Sequence, residues 1–321
     1  MGKVVALAGQ VGGAKLAEGL ARLRGQDLTV IVNTGDDYEQ LGLAFSPDLD
    51  TMLYTLSGNA GPGWEPAGES FTVFEMLKSL GGPDRPRVGD KSLAIPILRS
   101  DGLRNERSLS QITLDLCRHL GIRARVLPMS DDPVRTQVVT ADGSLPFLDY
   151  FMQLGCEPPV HRFEYPGAQD ARIPDAVVDA LHATDLEAVV ICPSNPYHSI
   201  RPILEVKGMR ELLRKRGAPV IAVTPIIGSR ALRGSAAKMM RELGREVSAR
   251  GVAIEYFHLI DGFVIDREDE SLAESIRSVG IEVATARAVM RTQSDRTELA
   301  GAVLEFADRL RAAKLRAAEE A

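Results

Sequence analysis

Acidic residues cluster in one short stretch of the sequence and suggest phosphate chemistry. Asn33-Thr34-Gly35-Asp36-Asp37 is followed by Ser46-Pro47-Asp48-Leu49-Asp50-Thr51. Phosphate transfer often needs a divalent cation, and hard carboxylate oxygens suit Mg²⁺. Asp36 and Asp50 are therefore predicted to hold Mg²⁺ or to take the proton from an attacking hydroxyl. Asp48 is interpreted as structural, because an acid in Ser-Pro-Asp lies beside the dipole of a starting helix.

A glycine-rich segment, Gly9-Gln10-Val11-Gly12-Gly13-Ala14-Lys15, follows the first apolar run of the chain. Glycine lets a ligand approach the backbone closely, and the free N–H groups of a helix start suit phosphate. The spacing matches neither a P-loop nor a clean G-x-G-x-x-G. Gly12, Gly13 and Lys15 are predicted to bind phosphate; the alternative is a tight strand-to-helix turn without a ligand.

A third polar segment is Pro193-Ser194-Asn195-Pro196-Tyr197-His198-Ser199-Ile200. Its two prolines make it rigid, so it could bind a nucleotide base or a phosphate. The alternative is an Asn-Pro turn that caps the next helix. His198 is interpreted as a loop histidine rather than a catalyst, and Cys192 as a buried strand residue. The substrate-binding residues predicted from all three segments and from the strand ends are Gly12, Gly13, Lys15, Asn33, Asp37, Ser130, Pro193, Ser194, Asn195, Ser199 and Gly228.

Short apolar runs predict the strands that must position these residues. Lys3–Ala8 and residues 28–33 flank a helix at 14–24, which makes a right-handed βαβ unit. Further strands are predicted at 123–127, 188–192, 219–223 and, as the last of the chain, 263–265. Helices are predicted at 50–56, 71–80 and 109–120.

A polar loop follows each of these strands. Ligands of open α/β sheets bind beyond the carboxyl ends of the strands. Gly12, Asp36, Ser130, Ser194 and Gly228 are therefore expected around one crevice. The predicted fold class is α/β, a Rossmann-like, doubly wound and mostly parallel sheet with an additional helical insertion. We expect one enlarged domain over residues 1–321, with the mainly helical insertion at about 50–120.

Composition narrows the class of protein. The 321 residues carry a net charge of −6, so we expect no nucleic-acid partner. No apolar stretch approaches the roughly 20 residues of a membrane span, and no signal peptide is evident. Three scattered cysteines fit a reducing compartment better than a disulfide scaffold or a zinc site. We expect a cytoplasmic protein and a homodimer.

An ordered set of segments carries a resemblance to a known family. The chain resembles the 2-phospho-L-lactate transferases of deazaflavin coenzyme F-420 biosynthesis, from the glycine-rich segment to about Tyr256. The segments that carry the resemblance are Asn33-Thr34-Gly35-Asp36-Asp37, residues 46–56, Pro128-Met129-Ser130-Asp131-Asp132, Pro193-Ser194-Asn195-Pro196 and Pro225-Ile226-Ile227-Gly228.

The resemblance implies a Rossmann-like core and a Mg²⁺-dependent transfer. A phosphorylated three-carbon acid would move from a guanosine diphosphate-activated donor to the ribityl hydroxyl of the deazaflavin Fo, with release of GMP. Asp36 and Asp50 would hold the metal or steer the hydroxyl. The other implied positions are Gly12 and Gly13 near phosphate, Ser194, Asn195 and Ser199 on donor or acceptor, and Pro128-Met129-Ser130 beside the deazaflavin rings.

The sequence departs from the family pattern at several positions. Gln10 stands where a second glycine is expected, Ser92 replaces an acid, and Ile95-Pro96 replaces a polar pair. The segment Phe147-Leu148-Asp149-Tyr150 lacks a glutamine and a tryptophan that are common there. These departures leave lactate, enolpyruvate and glycerate open as the acid of the donor.

Two other classes remain open on the sequence. One is a non-catalytic nucleotide-sugar-binding or regulatory paralogue. The presence of both Asp36 and Asp50 favours an enzyme over this alternative. The other is an NAD(P)-dependent oxidoreductase, which the imperfect glycine pattern and the acidic turn after the second strand disfavour.

Overall fold

The structure, a computed structural model, describes residues 2–61, 65–215, 217–228, 230–231 and 235–319. Its strands are β1 (Lys3–Ala8), β2 (Leu28–Val32), β3 (Tyr38–Gln40), β4 (Leu43–Phe45), β5 (Arg125–Pro128), β6 (Gln137–Thr140), β7 (Gly143–Pro146), β8 (Arg162–Glu164), β9 (Leu186–Ile191), β10 (Val220–Val223), β11 (Ile226–Ile227), β12 (Arg230–Ala231), β13 (Gly262–Asp266) and β14 (Glu282–Ala286).

The helices alternate with these strands along most of the chain. They are α1 (Gln10–Arg24), α2 (Pro47–Leu56), α3 (Thr72–Ser79), α4 (Ala94–Arg104), α5 (Leu109–His119), α6 (Phe147–Met152), α7 (Asp175–Leu181), α8 (Arg201–Glu205), α9 (Met209–Lys215), α10 (Ala236–Glu242), α11 (Ala249–Glu255), α12 (Ala273–Arg277) and α13 (Gln293–Glu319). Short 3₁₀ turns at Gly25–Asp27 and Arg267–Leu272 and a π-helical turn at Pro196–Ile200 complete them.

A seven-stranded sheet in the order β14-β13-β10-β9-β1-β2-β5 forms the centre of the molecule, and all its pairs are parallel. The chain first runs outward from β1 to β2 and β5. It then returns to β9 on the other side of β1 and continues to β10, β13 and β14. This reversal confirms the predicted Rossmann-like, doubly wound fold and places its switch point between β1 and β9.

Both faces of the sheet are covered, which explains why its strands are apolar at almost every position. Val5 and Leu7 of β1 belong to the apolar cluster on one face, whereas Val4, Ala6 and Ala8 belong to the cluster on the other. Helices α1, α2, α5 and α13 contribute to the second cluster. Strands buried on both faces are typical of parallel sheets under helical layers.

Two predicted boundaries near the chain ends are wrong. Helix α1 begins at Gln10 rather than at residue 14, because Gly9 is extended (φ −151°) and Gln10 alone makes the turn with φ 55°. The strand predicted at 263–265 is not the last, since β14 follows it. The exposed Glu282 and the half-buried Ala284 make β14 a weakly apolar edge strand.

A small antiparallel module between β5 and α7 was not predicted. Strands β7, β6 and β8 form a three-stranded sheet, in which Val138 pairs with Leu145 on one side and Phe163 on the other. Helix α6 follows β7 directly.

Helices α3, α4, α5 and most of α2 lie within residues 50–120. The predicted division into one domain with an insertion stays a prediction.

Candidate active site

The glycine-rich turn packs against the loop after β9 at the switch point. The backbone N–H of Gly9 donates to Ser194 Oγ (3.2 Å), and Ser194 Oγ donates to the Gly9 carbonyl (2.8 Å). A Cβ on Gly12 would lie 2.4 Å from the Pro193 carbonyl oxygen, and one on Gly13 would lie 2.5 Å from Ser194 Oγ. The structure thus brings these four predicted residues together, and the glycines are required by close packing of α1 against the loop.

Two buried carboxylates lie beside this turn. Asn33, directly after β2, donates from Nδ2 to Asp48 Oδ2 (2.9 Å), and the backbone N–H of Gln10 also donates to the Asp48 carboxylate. Asp36 Oδ2 lies 3.5 Å from His198 Nδ1. We call Asn33, Asp36, Asp48 and His198 the carboxylate cluster. All four side chains are buried.

The electrostatics of the carboxylate cluster are unusual. Burial raises the pKa of Asp36 to about 8. Burial, with a smaller contribution from the charge of Asp36, raises the pKa of Asp48 to about 7, and burial lowers the pKa of His198 to about 4. Asp36 Oδ1 is buried without a hydrogen-bond partner. Two crowded carboxyl groups with a free oxygen suit either a bound cation or proton transfer near neutral pH.

The expected placement of Asp48 and Asp50 is corrected by the structure. Asp48 lies in the first turn of α2, as predicted, but it is only 5% exposed and lies beside Asp36. Asp50 forms an ion pair with Arg99. Residues two apart on a helix point in nearly opposite directions, so only one of the two can face the switch point. The role of each carboxylate stays a prediction.

Arg99 anchors a second polar group, which we call the arginine cluster: Asp37, Asp50, Tyr54 and Arg99. Arg99 is 1% exposed and donates from Nη1 to Asp50 Oδ2 and to the Ala44 carbonyl (both 3.3 Å). Tyr54 Oη, Asp37 Oδ1 and Arg99 Nε are buried without partners. Such free polar atoms suit a ligand with several hydroxyl groups. Sequence reasoning missed Arg99, because no helix was predicted at α4 and its packing shows only in the structure.

An apolar pocket of about 210 Å³ lies near the arginine cluster. Phe45 lines it and stacks on Tyr38 with ring centroids 4.8 Å apart. Burial and, secondarily, the charge of Asp50 raise the pKa of Tyr38, so this ring connects the pocket with the arginine cluster. The pocket is otherwise lined by Gln40, Leu41, Leu43, Val73, Phe74, Leu77, Pro83, Pro86, Val88, Leu93 and Ile97.

The loop after β9 caps the turn that follows it and also contacts the glycine turn, while its predicted binding of a base or phosphate stays a prediction. Asn195 accepts from the N–H of Tyr197 and caps the π-helical turn, as the alternative interpretation expects. Ser199 lies against Gly9, since a Cβ on Gly9 would lie 2.8 Å from Ser199 Cβ. The carbonyl of His198 accepts from Asn33 Nδ2 (3.1 Å). His198 therefore belongs to the candidate site, contrary to its interpretation as a loop residue.

Three other predicted binding residues are held by contacts elsewhere. Ser130 Oγ donates to the Arg172 carbonyl (2.7 Å), and Lys15 Nζ donates to the Met290 carbonyl (3.2 Å). The N–H of Gly228 donates to Asp269 (3.1 Å), after β13. The expectation that Ser130 and Gly228 border the same crevice as Asp36 receives no support from these contacts.

The described residues also bear on the predictions about metal sites, membrane spans and cysteines. Within the ranges that the structure describes, no three His, Cys, Asp or Glu side chains group closely enough to form a metal site by themselves. In the same ranges, no helix has both the length and the apolar character needed to span a membrane. Cys117, Cys156 and Cys192 are buried free thiols.

The doubly wound sheet and the buried carboxylates at its switch point define a Rossmann-like α/β protein with an acidic candidate site. The chain belongs to the 2-phospho-L-lactate transferase CofD family, whose model matches residues 4–299. The predicted family is thereby confirmed. The chain is a transferase, which sets aside the non-catalytic and NAD(P)-dependent alternatives.

Individual relatives agree with this family. The chain is 37% identical over 305 residues to a 2-phospho-L-lactate transferase of Methanosarcina mazei, covering 94% of this chain and 99% of the relative. It is also 37% identical over 319 residues to a phosphoenolpyruvate transferase of Streptomyces griseus, and the match covers 97% of this chain and 100% of the relative. A solved structure of a UPF0052 family member from Bacillus halodurans shares the fold, with a TM-score of 0.62 and 16% sequence identity. The match covers 94% of this chain and 98% of that structure.

Proposed function

We propose that this transferase joins a phosphorylated three-carbon acid to the deazaflavin Fo in coenzyme F-420 biosynthesis. The terminal ribityl oxygen of Fo attacks the phosphorus that carries the acid, in a guanosine diphosphate-activated donor. The bond from that phosphorus to the bridging oxygen breaks, and GMP leaves with this oxygen. The ribityl hydroxyl loses its proton, and the product is a phosphodiester.

The relatives support this reaction class and leave the acid open. A 2-phospho-L-lactate transferase and a phosphoenolpyruvate transferase are equally similar to this chain, at 37% identity. Lactate, enolpyruvate and glycerate donors therefore stay as candidates. The observation that carries the proposal is the pair Asp36 and Asp48, buried beside the glycine turn at the switch point.

The carboxylate cluster fits a divalent cation. Asp36 and Asp48 are hard oxygen donors, Asp36 Oδ1 has no hydrogen-bond partner, and burial raises the pKa of both groups. Mg²⁺ usually binds one or two carboxylates together with substrate phosphates and water, which agrees with the absence of a larger ligand group among the described residues. When bound, Mg²⁺ would neutralise diphosphate charge and orient the reacting groups.

Other residues of the chain bind and orient the two substrates. The start of α1 lies at the switch point, and those of its N–H groups that Asp48 and Ser194 do not bind would contact the diphosphate there. Asp50 and Arg99 would hydrogen-bond the ribityl chain, because the arginine cluster has polar atoms without partners. Asp50 would thereby hold the attacking hydroxyl, in agreement with one of its two predicted roles.

We propose a different position for the deazaflavin rings from the one that the resemblance implies. Met129 is 0% exposed and Ser130 is hydrogen-bonded to a backbone carbonyl, so the segment Pro128-Met129-Ser130 offers no face for a flat ligand. The apolar pocket beside Phe45 suits a planar ring system better, because Tyr38 connects it with Asp50.

Mass spectrometry of the product tests the proposed reaction. The enzyme is incubated with Mg²⁺, Fo and each of the three guanylylated donors in turn. We expect one donor to give a phosphodiester of Fo with release of GMP, and excess EDTA to stop the reaction. Absence of product from all three donors would overturn the proposal, and full turnover in EDTA would remove the cation from it.

A further inference from the structure

His198 connects the two carboxylates of the carboxylate cluster through separate groups. Its ring Nδ1 lies 3.5 Å from Asp36 Oδ2. Its backbone carbonyl accepts from Asn33 Nδ2, which also donates to Asp48 Oδ2. One residue therefore contacts Asp36 directly and reaches Asp48 through a single amide. The side chain is only 1% exposed, so solvent does not compete for these contacts.

The imidazole is held in a fixed plane. Phe147, the first residue of α6, stacks on it with ring centroids 3.9 Å apart and an interplanar angle of 15°. The backbone beneath it is the π-helical turn Pro196–Ile200, which Asn195 caps. Single π-helical turns interrupt regular hydrogen bonding and occur frequently at functional sites. The antiparallel module thus supplies Phe147, and the switch-point loop supplies the histidine.

The orientation of Asp36 follows from this arrangement. Of its two carboxylate oxygens, Oδ2 lies 3.5 Å from His198 Nδ1 and Oδ1 is buried without a partner, while the Thr136 side chain also contacts the carboxylate and lowers its pKa. Ser199 Oγ lies 3.4 Å from the same ring nitrogen and can accept from it or leave it to Asp36. A proton on Nδ1 would engage Oδ2 and leave Oδ1 without a partner.

We propose that His198 is a positioning residue, which donates from Nδ1 to Asp36 and so directs Asp36 Oδ1 toward the reacting phosphate. The inference rests on the proposed function, because it concerns the same carboxylate. It assigns a role to a side chain that makes no contact with the substrate. Phe147 fixes the plane of the ring, so the rotation of the Asp36 carboxylate depends on a stacking contact from the antiparallel module.

Two conservative variants separate positioning from packing. The amide nitrogen of His198→Asn occupies the place of Nδ1, whereas that of His198→Gln occupies the place of Nε2. We expect His198→Asn to keep turnover within about 3-fold of wild type and His198→Gln to lower kcat about 10- to 100-fold with little change in KM, the size typical of groups that orient a ligand. His198→Leu, which has no donor, is expected to match His198→Gln. Thermal midpoints of all three identify any variant that fails to fold.

A spectroscopic measurement tests the same contact without turnover. The chain has five histidines, so the ring nitrogens of ¹⁵N-histidine-labelled protein can be assigned, with His198→Asn identifying the signal. We expect His198 to carry its proton on Nδ1 and its signals to shift in Asp36→Asn. A proton on Nε2, or equal turnover in the Asn and Gln variants, would overturn the inference. Unchanged turnover in Asp36→Asn would instead overturn the proposed role of Asp36 itself.

Discussion

Asp48 and Asp50 illustrate how one helical turn serves two different environments. Asp48 reaches the switch point, where Asn33 and the backbone of Gln10 bind it, while Asp50 pairs with the buried Arg99. Two carboxylates of the same type are therefore distinguished by their partners alone. The side chain that donates to Asp48 is the neutral amide of Asn33, whereas the one that donates to Asp50 is the positively charged Arg99.

Substitution of these two residues by asparagine is expected to give opposite stability effects. Asp48→Asn removes a carboxyl group whose burial is unfavourable, so the thermal midpoint should hold or rise while turnover falls by more than about 100-fold, beyond the usual loss for a ligand-orienting group. Asp50→Asn leaves Arg99 without its counter-charge, and breaking a buried pair costs about 3–5 kcal/mol. Turnover and denaturant unfolding of both variants check this. Asp101→Asn, on the exposed face of α4, serves as the control. Near wild-type turnover in Asp48→Asn would contradict the placement of the cation.

The raised pKa values of Asp36 (about 8) and Asp48 (about 7) predict how stability depends on pH in the metal-free protein. In the unfolded chain both carboxyl groups are deprotonated well below pH 6. Between pH 6.5 and 8 the folded state then binds more protons, so stability falls as pH rises, by at most about 1.4 kcal/mol per pH unit for each group. His198, with a pKa of about 4, is neutral in both states over most of this range.

Thermal midpoints in EDTA from pH 6.5 to 9 measure this dependence. We expect a decline that levels off above about pH 8, a smaller decline in Asp48→Asn, and a smaller decline in wild type when excess Mg²⁺ replaces EDTA. A midpoint that is constant or rises over this range would show that the carboxyl groups do not retain protons in the folded state.

At the scale of elements, the contact between α1 and the loop after β9 depends on glycines. A Cβ on Gly12 would lie 2.4 Å from the backbone oxygen of Pro193, which cannot move without displacing the strand end. Gln10 adopts φ 55° at the point where the family pattern has glycine, so the departure is accommodated by backbone strain instead of a different turn. The turn keeps its shape because Asp48 and Ser194 bind its N–H groups.

A pair of glycine variants tests this packing. Gly12→Ala is expected to destabilise the fold by about 1–3 kcal/mol, as overpacking does, and to abolish turnover. Gly301→Ala is the matched control, because Gly301 lies inside α13 with open space around its Cβ position; it should stabilise by about 0.5–1 kcal/mol. Urea unfolding of the two variants gives both values. Equal effects would mean that the Gly12 contact is dispensable.

Most of the fold could be predicted from the sequence, and the site only partly. Apolar runs of strand length predict β1, β2, β9 and β10 because parallel strands are buried on both faces. The short strands β6 to β8 have no such run. Spacing fixes the angle between Asp48 and Asp50 but not which of them faces the sheet, and Arg99 is recognisable only once α4 is packed on β4. Tertiary packing therefore decides the details of the site.

At the scale of the whole molecule, an exposed apolar face marks the region of α3 and α4. Leu80 (77%), Met76 (61%) and Leu98 (58%) are exposed there. Exposed apolar side chains concentrated on one face are typical of association surfaces. We propose that the expected homodimer forms through this face.

Light scattering coupled to size-exclusion chromatography tests the homodimer. Wild type should elute at twice the chain mass, and Met76→Glu with Leu80→Glu should elute as a monomer. Phe257→Glu, at an exposed aromatic residue just beyond α11, is the control and should remain a dimer. A monomeric wild type, or a double variant that still dimerises, would contradict the proposal.

The central position of β1 has a consequence for biosynthesis of the chain. Strand β1 leaves the ribosome first, yet one of its two neighbours is β9, which begins at Leu186. At roughly 5–20 residues per second, translation leaves one edge of β1 unpaired for about ten to forty seconds. Until then the nascent chain exposes an apolar strand edge of the kind that aggregates and that chaperones bind. The site at the switch point thus forms only when more than half of the protein has been synthesised, and a truncated product ending before β9 would hold the glycine turn and the carboxylates but not the loop that packs against them.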